Sequence, residues 1–350
     1  VTPDPVLTEC LGRLVAGDDL SRDLVERAVG VIMDGQASEV QVAAFLTALR
    51  AKGVTATELS GLAQAVRQRA EHVHVDETHL LVDTCGTGGG PSTVNISTGA
   101  AFIAAGAGVK VAKHGNRAVT SGCGSADVLE ALGARVDLAP DAIGQCIDEV
   151  GVGFMFAPSH HPAFRHVGNV RRELGIRTAF NIIGPLANPA GATHQVIGVF
   201  DPGYLDTVAE ALSMLGSRRA LVVAGRDGLD EISTVAVTDA VLWDHDGFRS
   251  LQIDPRGLGV DAPAGGALDG GDPAANAAAL RRAIGGDPGA VRDILVLNAG
   301  AAVWMAGLAH SLEKGMGMAE DAVTSGAALD VLDRFAALTN ALAPAGEAAT

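Results

Sequence analysis

From about residue 79 onward, short apolar runs alternate with longer amphipathic stretches, and this alternation narrows the available folds more than any other feature of the chain. The runs cover residues 80–82, 109–112, 152–156, 196–200 and 221–224, with helix-like stretches such as 126–132, 141–150 and 205–215 between them. Short runs without polar interruption suit strands buried on both faces, so the pattern predicts a mainly parallel sheet flanked by helices. Ligands of such sheets bind beyond the carboxyl ends of the strands. Residues 234–237 and 241–243, either side of Thr238-Asp239-Ala240, read as an antiparallel pair, and residues 254–289, rich in Gly, Ala, Pro and Asp, as loop. No internal repeat is present.

The first 75 residues have a different period. Leu24, Val25, Ala28, Val29, Ile32 and Met33 recur at helical spacing, as do Val40, Val42, Ala43, Phe45, Leu46 and Leu49. Ser38 with Glu39 predicts a helix start, Gly53 a stop, and Thr57 the opening of a further helix through Leu59, Leu62, Ala63 and Val66. The expected architecture is therefore a small all-helical domain over 1–75, serving packing or dimerisation, and a larger α/β domain over 76–350. Composition agrees: nine Phe, two Trp and one Tyr against 45 Gly leave Ala, Val, Leu and Ile to build the core. Tight helix packing follows, not an aromatic-rich β-sandwich.

Several functional classes are disfavoured. A net charge of −16 with only four lysines argues against a nucleic-acid binder, whose phosphate contacts need clustered cations. Cys10, Cys85, Cys123 and Cys146 show no CxxC spacing, so zinc and redox motifs lack support and a reduced, cytoplasmic protein is expected. Asp4, Glu9 and Arg13 interrupt any signal-peptide core. The apolar part of the longest charge-free stretch, 99–109, falls short of the ~20 residues a spanning helix needs. No membrane partner is expected.

The strongest chemical signal is Asp83-Thr84-Cys85-Gly86-Thr87-Gly88-Gly89-Gly90, directly after the first run of the alternating region. Clustered glycines uncover backbone N–H groups and permit positive φ, as a loop wrapped around phosphate oxygens requires. Asn95, Ser97 and Thr98 follow at the expected opening of the next helix, adding donors at its positive end. Pro91 breaks the Rossmann fingerprint, and the chain has no Gly-Lys dipeptide for a Walker loop. Lys113-His114-Gly115-Asn116-Arg117 comes immediately after the run 109–112, a cationic cluster at a strand end, with Ser125 expected to cap the helix that follows. Asp230-Glu231 offers adjacent carboxylates suited to Mg2+, although similar pairs such as Asp148-Glu149 recur elsewhere. His160-His161 has no accompanying metal spacing and reads as a loop pair touching substrate or solvent. Residues 181–189, with two Pro and two Asn, read as a shaped crossing segment.

In this order, Gly86-Thr87-Gly88-Gly89, Asn95-Ile96-Ser97-Thr98, Lys113-His114-Gly115-Asn116-Arg117, Gly124-Ser125-Ala126-Asp127, residues 181–189 and residues 227–231 resemble the anthranilate phosphoribosyltransferases of tryptophan biosynthesis. The resemblance runs from the N-terminal helices to about residue 335. One departure is Gly90, where many members carry Asp. The resemblance implies phosphoribosyl pyrophosphate (PRPP) and anthranilate as substrates, Mg2+ as cofactor with two ions per subunit, and a homodimer formed through the helical domain. It assigns PRPP to Gly86, Gly89, Gly90, Thr93, Asn95, Ile96, Ser97, Thr98, Lys113, His114, Gly115, Asn116, Arg117, Ser121 and Ser125. It assigns anthranilate to Gly86, His114, Asn116, Arg171 and Pro185, and Mg2+ to Ser97, Asp230 and Glu231. Arg171 is independently sensible, because a guanidinium forks onto a benzoate carboxylate. No general base is implied, since an aromatic amine is already nucleophilic. Two rivals are a pyrimidine nucleoside phosphorylase, which shares the fold but has a different glycine-loop pattern, and a non-catalytic nucleic-acid-binding relative, which the charge disfavours.

Overall fold

A computed structural model of the chain describes residues 3–76, 80–118 and 122–343. Residue 79, where the sequence pattern changes, and Ser121 lie outside the described residues. Four helices open the chain: α1 (Pro5–Ala16), α2 (Arg22–Met33), α3 (Glu39–Lys52) and α4 (Ala56–Arg67). Asp4, Ser21, Ser38 and Thr55 each accept hydrogen bonds from the first turn of the helix that follows, satisfying N–H groups with no partner inside the helix. The expected start at Thr57 moves back to a cap at Thr55, because Thr55 and Glu58 form a reciprocal capping box.

The remaining elements are β1 (Leu81–Gly86), α5 (Ile96–Gly106), β2 (Lys110–Gly115), α6 (Ser125–Ala131), α7 (Pro140–Val150), β3 (Val152–Phe156), α8 (Ala157–His160), α9 (Arg165–Leu174), α10 (Ile183–Leu186), β4 (His194–Gly198), α11 (Leu205–Met214), β5 (Arg219–Gly225), β6 (Thr238–Asp244), β7 (Gly247–Ile253), α12 (Pro273–Ile284), α13 (Ala290–Met305), α14 (Leu312–Thr324) and α15 (Ala327–Leu342). The strands form one sheet in the order β3-β2-β1-β4-β5-β6-β7. The first five run parallel, and β6 and β7 close the edge antiparallel. Among the described residues no helix is long and apolar enough to cross a membrane.

Three local expectations are corrected. β1 and β2 continue past their apolar runs, so Lys113 and His114 lie within β2, paired with Phe154 and Met155 of β3. Residues 238–240 are not a turn; they belong to β6, and the hairpin bends at His245-Asp246, ahead of Gly247 at φ +103°. Within 254–289, Asp272 caps α12 and Pro273 occupies its first position, a helix-start signal that the Gly and Pro around it obscured.

Alternate residues of the central strands feed two cores. Leu221 and Val223 of β5 point into a core with α5 and α13, whereas Ala220, Val222 and Ala224 point into one shared with α1–α4 and α11. The helical bundle and one face of the sheet are therefore packed into a single apolar cluster.

Candidate active site

β1 has β2 on one side and β4 on the other, so the chain's winding reverses between β1 and β4 and opens a crevice at their carboxyl ends. The glycine loop leaves β1 there. Gly88 and Gly89 have φ of +71° and +95°, a region that side chains disfavour. The loop is fastened by Thr87, whose N–H donates to the Gly198 carbonyl (2.9 Å) and whose Oγ1 accepts from the Phe200 N–H (3.0 Å). At its far side, Gly270 N–H donates to the Ser92 carbonyl and Thr93 forms a bridge with Asp269.

The acidic loop after β5 reaches the same place. Gly88 N–H donates to Asp230 Oδ2 at 2.7 Å. Glu231 faces Ser97, at the N-terminal turn of α5, and the Ser97 hydroxyl and N–H favour its ionised form. Burial and the neighbouring Asp230 push the Glu231 carboxyl up to about 8, and burial raises Asp230 as well. Asn298 of α13 fixes this loop: its Oδ1 accepts from the Ile232 N–H (3.0 Å), and its Nδ2 donates to the Ile232 carbonyl (2.9 Å). A β-carbon on Gly90 would sit 2.7 Å from the Gly228 carbonyl oxygen, so the two loops are in backbone contact.

Lys113 crosses beneath the glycine loop. It is 2% exposed, and its Nζ donates to the Thr84 carbonyl (2.6 Å) and Ser97 Oγ (3.1 Å). Asp83, fully buried on β1, accepts from His114 N–H (3.2 Å) and Asn188 Nδ2 (2.7 Å), tying β1, β2 and the crossing segment together. His114 Nδ1 lies 3.0 Å from the Gly184 carbonyl; that acceptor-only oxygen places the proton on Nδ1. Nε2 is left as a buried acceptor with no partner among the described residues. Burial lowers this imidazole to about 4 and that of His161, edge-on to it, to about 3. His160 and His161 are thus buried on and beside α8, and His160 Nδ1 faces the Glu71 carbonyl.

Arg171 of α9 is half-buried, and it makes no ion pair or hydrogen bond with any described residue; burial lowers its guanidinium. A buried cation without a counter-ion suits an anionic ligand. Pro185, on α10, is buried and its carbonyl accepts from Gln195.

Other expected residues are placed differently. Arg117 pairs with Glu130 and Asp127 on α6, which hold its charge. The Asn95 amide bonds the Cys123 carbonyl and Asn276, while Asn116 Oδ1 accepts from Arg117 N–H. Ser125 is the first residue of α6 and does not cap it; the Asp127 carboxylate takes that role through Gly124 N–H (2.9 Å). Ser125 lies against Gly115, where a β-carbon would be 3.0 Å from its own. Ile96 is buried, so its contribution is limited to backbone, and Thr98 is buried with a hydroxyl that has no partner among the described residues. Arg177, Phe200 and Asn298 were not anticipated, because no local motif marks them.

A helical bundle joined to a parallel sheet, with glycine loop, lysine and carboxylate pair meeting at the sheet's reversal point, defines a glycosyl-transfer enzyme of the bundle-plus-sheet type. Residues 78–329 match the a/b domain of the glycosyl transferase family, and residues 8–70 match its helical bundle domain. The anthranilate phosphoribosyltransferase of Rubrobacter xylanophilus is 51% identical over 343 residues, covering 97% of this chain and 100% of its own. The crystal structure of the Thermus thermophilus enzyme superposes with a TM-score of 0.88 at 40% identity, over 95% of this chain and 99% of that one. The Saccharomyces cerevisiae enzyme in complex with PRPP and Mg gives 0.87 at 27% identity, over 97% and 99%. The chain belongs to the anthranilate phosphoribosyltransferase family.

Proposed function

We propose that this chain transfers the phosphoribosyl group of PRPP to anthranilate, giving N-(5-phosphoribosyl)anthranilate and pyrophosphate, in L-tryptophan biosynthesis. The observation that carries the reading is the convergence of the Gly86–Gly90 loop, Ser97, Lys113 and the Asp230–Glu231 pair, from separate segments, at one crevice. Backbone donors of the loop and of the first turn of α5, with Lys113, bind the phosphates. Gly86, His114, Asn116, Arg171 and Pro185 form the anthranilate side, with the Arg171 guanidinium taking the carboxylate. The amine needs no strong base, and His114, held neutral, offers Nε2 as an acceptor for an amine N–H. Fixing the two substrates in line removes much of the entropic barrier to substitution at ribose C1.

The Ser97, Asp230 and Glu231 oxygens suit a hard divalent cation, because two crowded carboxylates with raised pKa call for a positive partner. Bound there, Mg2+ supplies charge against the pyrophosphate leaving group. Ser97, Asp230 and Glu231 would hold the metal, with two ions per subunit. Two exposed valines on the bundle, Val15 of α1 and Val40 of α3, support a homodimer through residues 1–75. Four buried free thiols support a cytoplasmic location.

The test mixes the chain with PRPP, Mg2+ and anthranilate and follows anthranilate fluorescence. Consumption requiring both PRPP and Mg2+ is expected. Unchanged fluorescence with phosphate-dependent cleavage of thymidine or uridine would move the chain to the phosphorylases, and salt-dependent DNA binding to a nucleic-acid role.

A further inference from the structure

A loop made largely of glycine has few side chains with which to hold a shape, so its conformation must be imposed by neighbours. One of these is Arg177, on the short connection that follows α9. Its Nη2 donates to the Gly89 carbonyl at 2.9 Å, and its guanidinium lies 4.3 Å from the centre of the Phe200 ring. A β-carbon on Gly89 would collide with that guanidinium, so the two are in direct contact. Phe200 is itself tied to the loop through its N–H and Thr87 Oγ1. The arginine thus rests on a ring anchored to one end of the loop and grips a carbonyl in the middle.

Its charge is also uncommitted. Arg117, Arg226 and Arg256 are exposed like Arg177, yet each is paired with a carboxylate. Arg177 has no carboxylate within ion-pair distance among the described residues, although its field reaches Asp230. Of its five N–H donors, Gly89 takes one.

We propose that Arg177 is a positioning residue that clamps the glycine loop and turns its remaining charge toward the pyrophosphate of the donor substrate. This rests on the reading that the loop binds PRPP. Stacking on Phe200 holds the guanidinium plane, so the fork is oriented before the substrate arrives. A lysine at 177 would keep the charge but lose both the planar stack and the fork.

The test measures binding of inorganic pyrophosphate with Mg2+ by calorimetry, KM for each substrate, and thermal stability, in wild type, Arg177→Ala, Arg177→Lys and Phe200→Leu. Arg177→Ala should weaken pyrophosphate binding and raise the PRPP KM by about tenfold to a hundredfold, the usual loss for a charge-assisted contact. Its anthranilate KM and melting temperature should stay near wild type. Arg177→Lys should recover part of the loss, and Phe200→Leu should reproduce part of it. Wild-type pyrophosphate binding in Arg177→Ala, or equal losses for both substrates with a lowered melting temperature, overturns the proposal while leaving the PRPP site intact. A wild-type chain that does not bind pyrophosphate overturns the PRPP reading and the proposal together.

Discussion

The backbone of Asp230 lies so close to Gly198, the last residue of β4, that a β-carbon on the glycine would fall within the van der Waals envelope of the aspartate carbonyl. The acidic loop therefore docks on bare backbone at the end of the neighbouring strand. Gly198→Ala should push the loop away. Overpacking of this kind costs about 1–3 kcal/mol, measurable by denaturant titration. The Mg2+ concentration for half-maximal activity should rise in parallel. An alanine variant with unaltered Mg2+ dependence would show that the docking does not set the carboxylates.

The carboxylate pair has its own internal control. Asp230→Asn with Glu231→Gln keeps shape and removes two charges, so activity should fall by orders of magnitude and recover partly at high Mg2+. The same change at Asp148 and Glu149, exposed at the end of α7, should leave activity unchanged and stability within about 0.5 kcal/mol. Similar behaviour of the two double variants would remove the special role of the loop pair.

Arg171→Ala should weaken anthranilate much more than PRPP. Losing a charge-assisted contact costs about 1.5–3 kcal/mol, read as a rise in the anthranilate KM. Among the described residues the guanidinium has no partner to lose, so the melting temperature should hold. Parallel loss of both substrates would count against the assignment.

Stability should decline with acid, for a reason set by burial. Burial holds His114 and His194 at about 4 and His161 at about 3, below the ordinary 6.5. Above pH 6.5 these groups are neutral in both folded and unfolded chains. As pH falls below 6.5 the unfolded chain takes up protons that the folded one refuses, so stability drops until about pH 4, where His114 and His194 protonate in place. Each histidine contributes a slope of about 1.4 kcal/mol per pH unit in that window. Melting temperatures from pH 7 to 5 should fall, and His194→Gln, at the start of β4, should make the slope shallower. The Glu231 carboxyl, raised to about 8, works the other way and adds stability as pH falls, so the histidine part is read from the change in slope on His194→Gln; equal slopes for the two proteins would mean that His194 takes up its proton without cost.

What the sequence made legible was local. Lys113, Ser97 and Asp230 could be found because each sits in a compact run whose residue types already suit anions or Mg2+. The strand–helix alternation was equally local, since apolar runs record burial on both sheet faces. The hairpin was misplaced because β6 continues through Asp239, a charged residue whose carboxylate is taken by Arg226. Arg177 and Asn298 were invisible for another reason: each acts on backbone 88 and 66 residues away. A contact with a distant carbonyl leaves no pattern in the residues around it. Arg117 shows the converse, since its place in a cationic run suggested a ligand while α6 supplies its carboxylates.

The division of the apolar interior into two clusters bears on the chemistry itself. Lys113 belongs to a strand of the sheet, whereas Arg171 rides on α9, which leans against α2 and α3 of the bundle. On the assignments proposed above, the donor sugar would be registered to the cluster that holds Val111 and Ala112, and the acceptor amine to the one that holds Val167 and Val170. The gap that the new C–N bond must close is a distance between those clusters. Phe45 and Leu46, deep in the bundle on α3, which packs against α9, would then act on that gap without touching either substrate. A slight repacking there changes how well the reactants meet, even where every group that touches them is left in place.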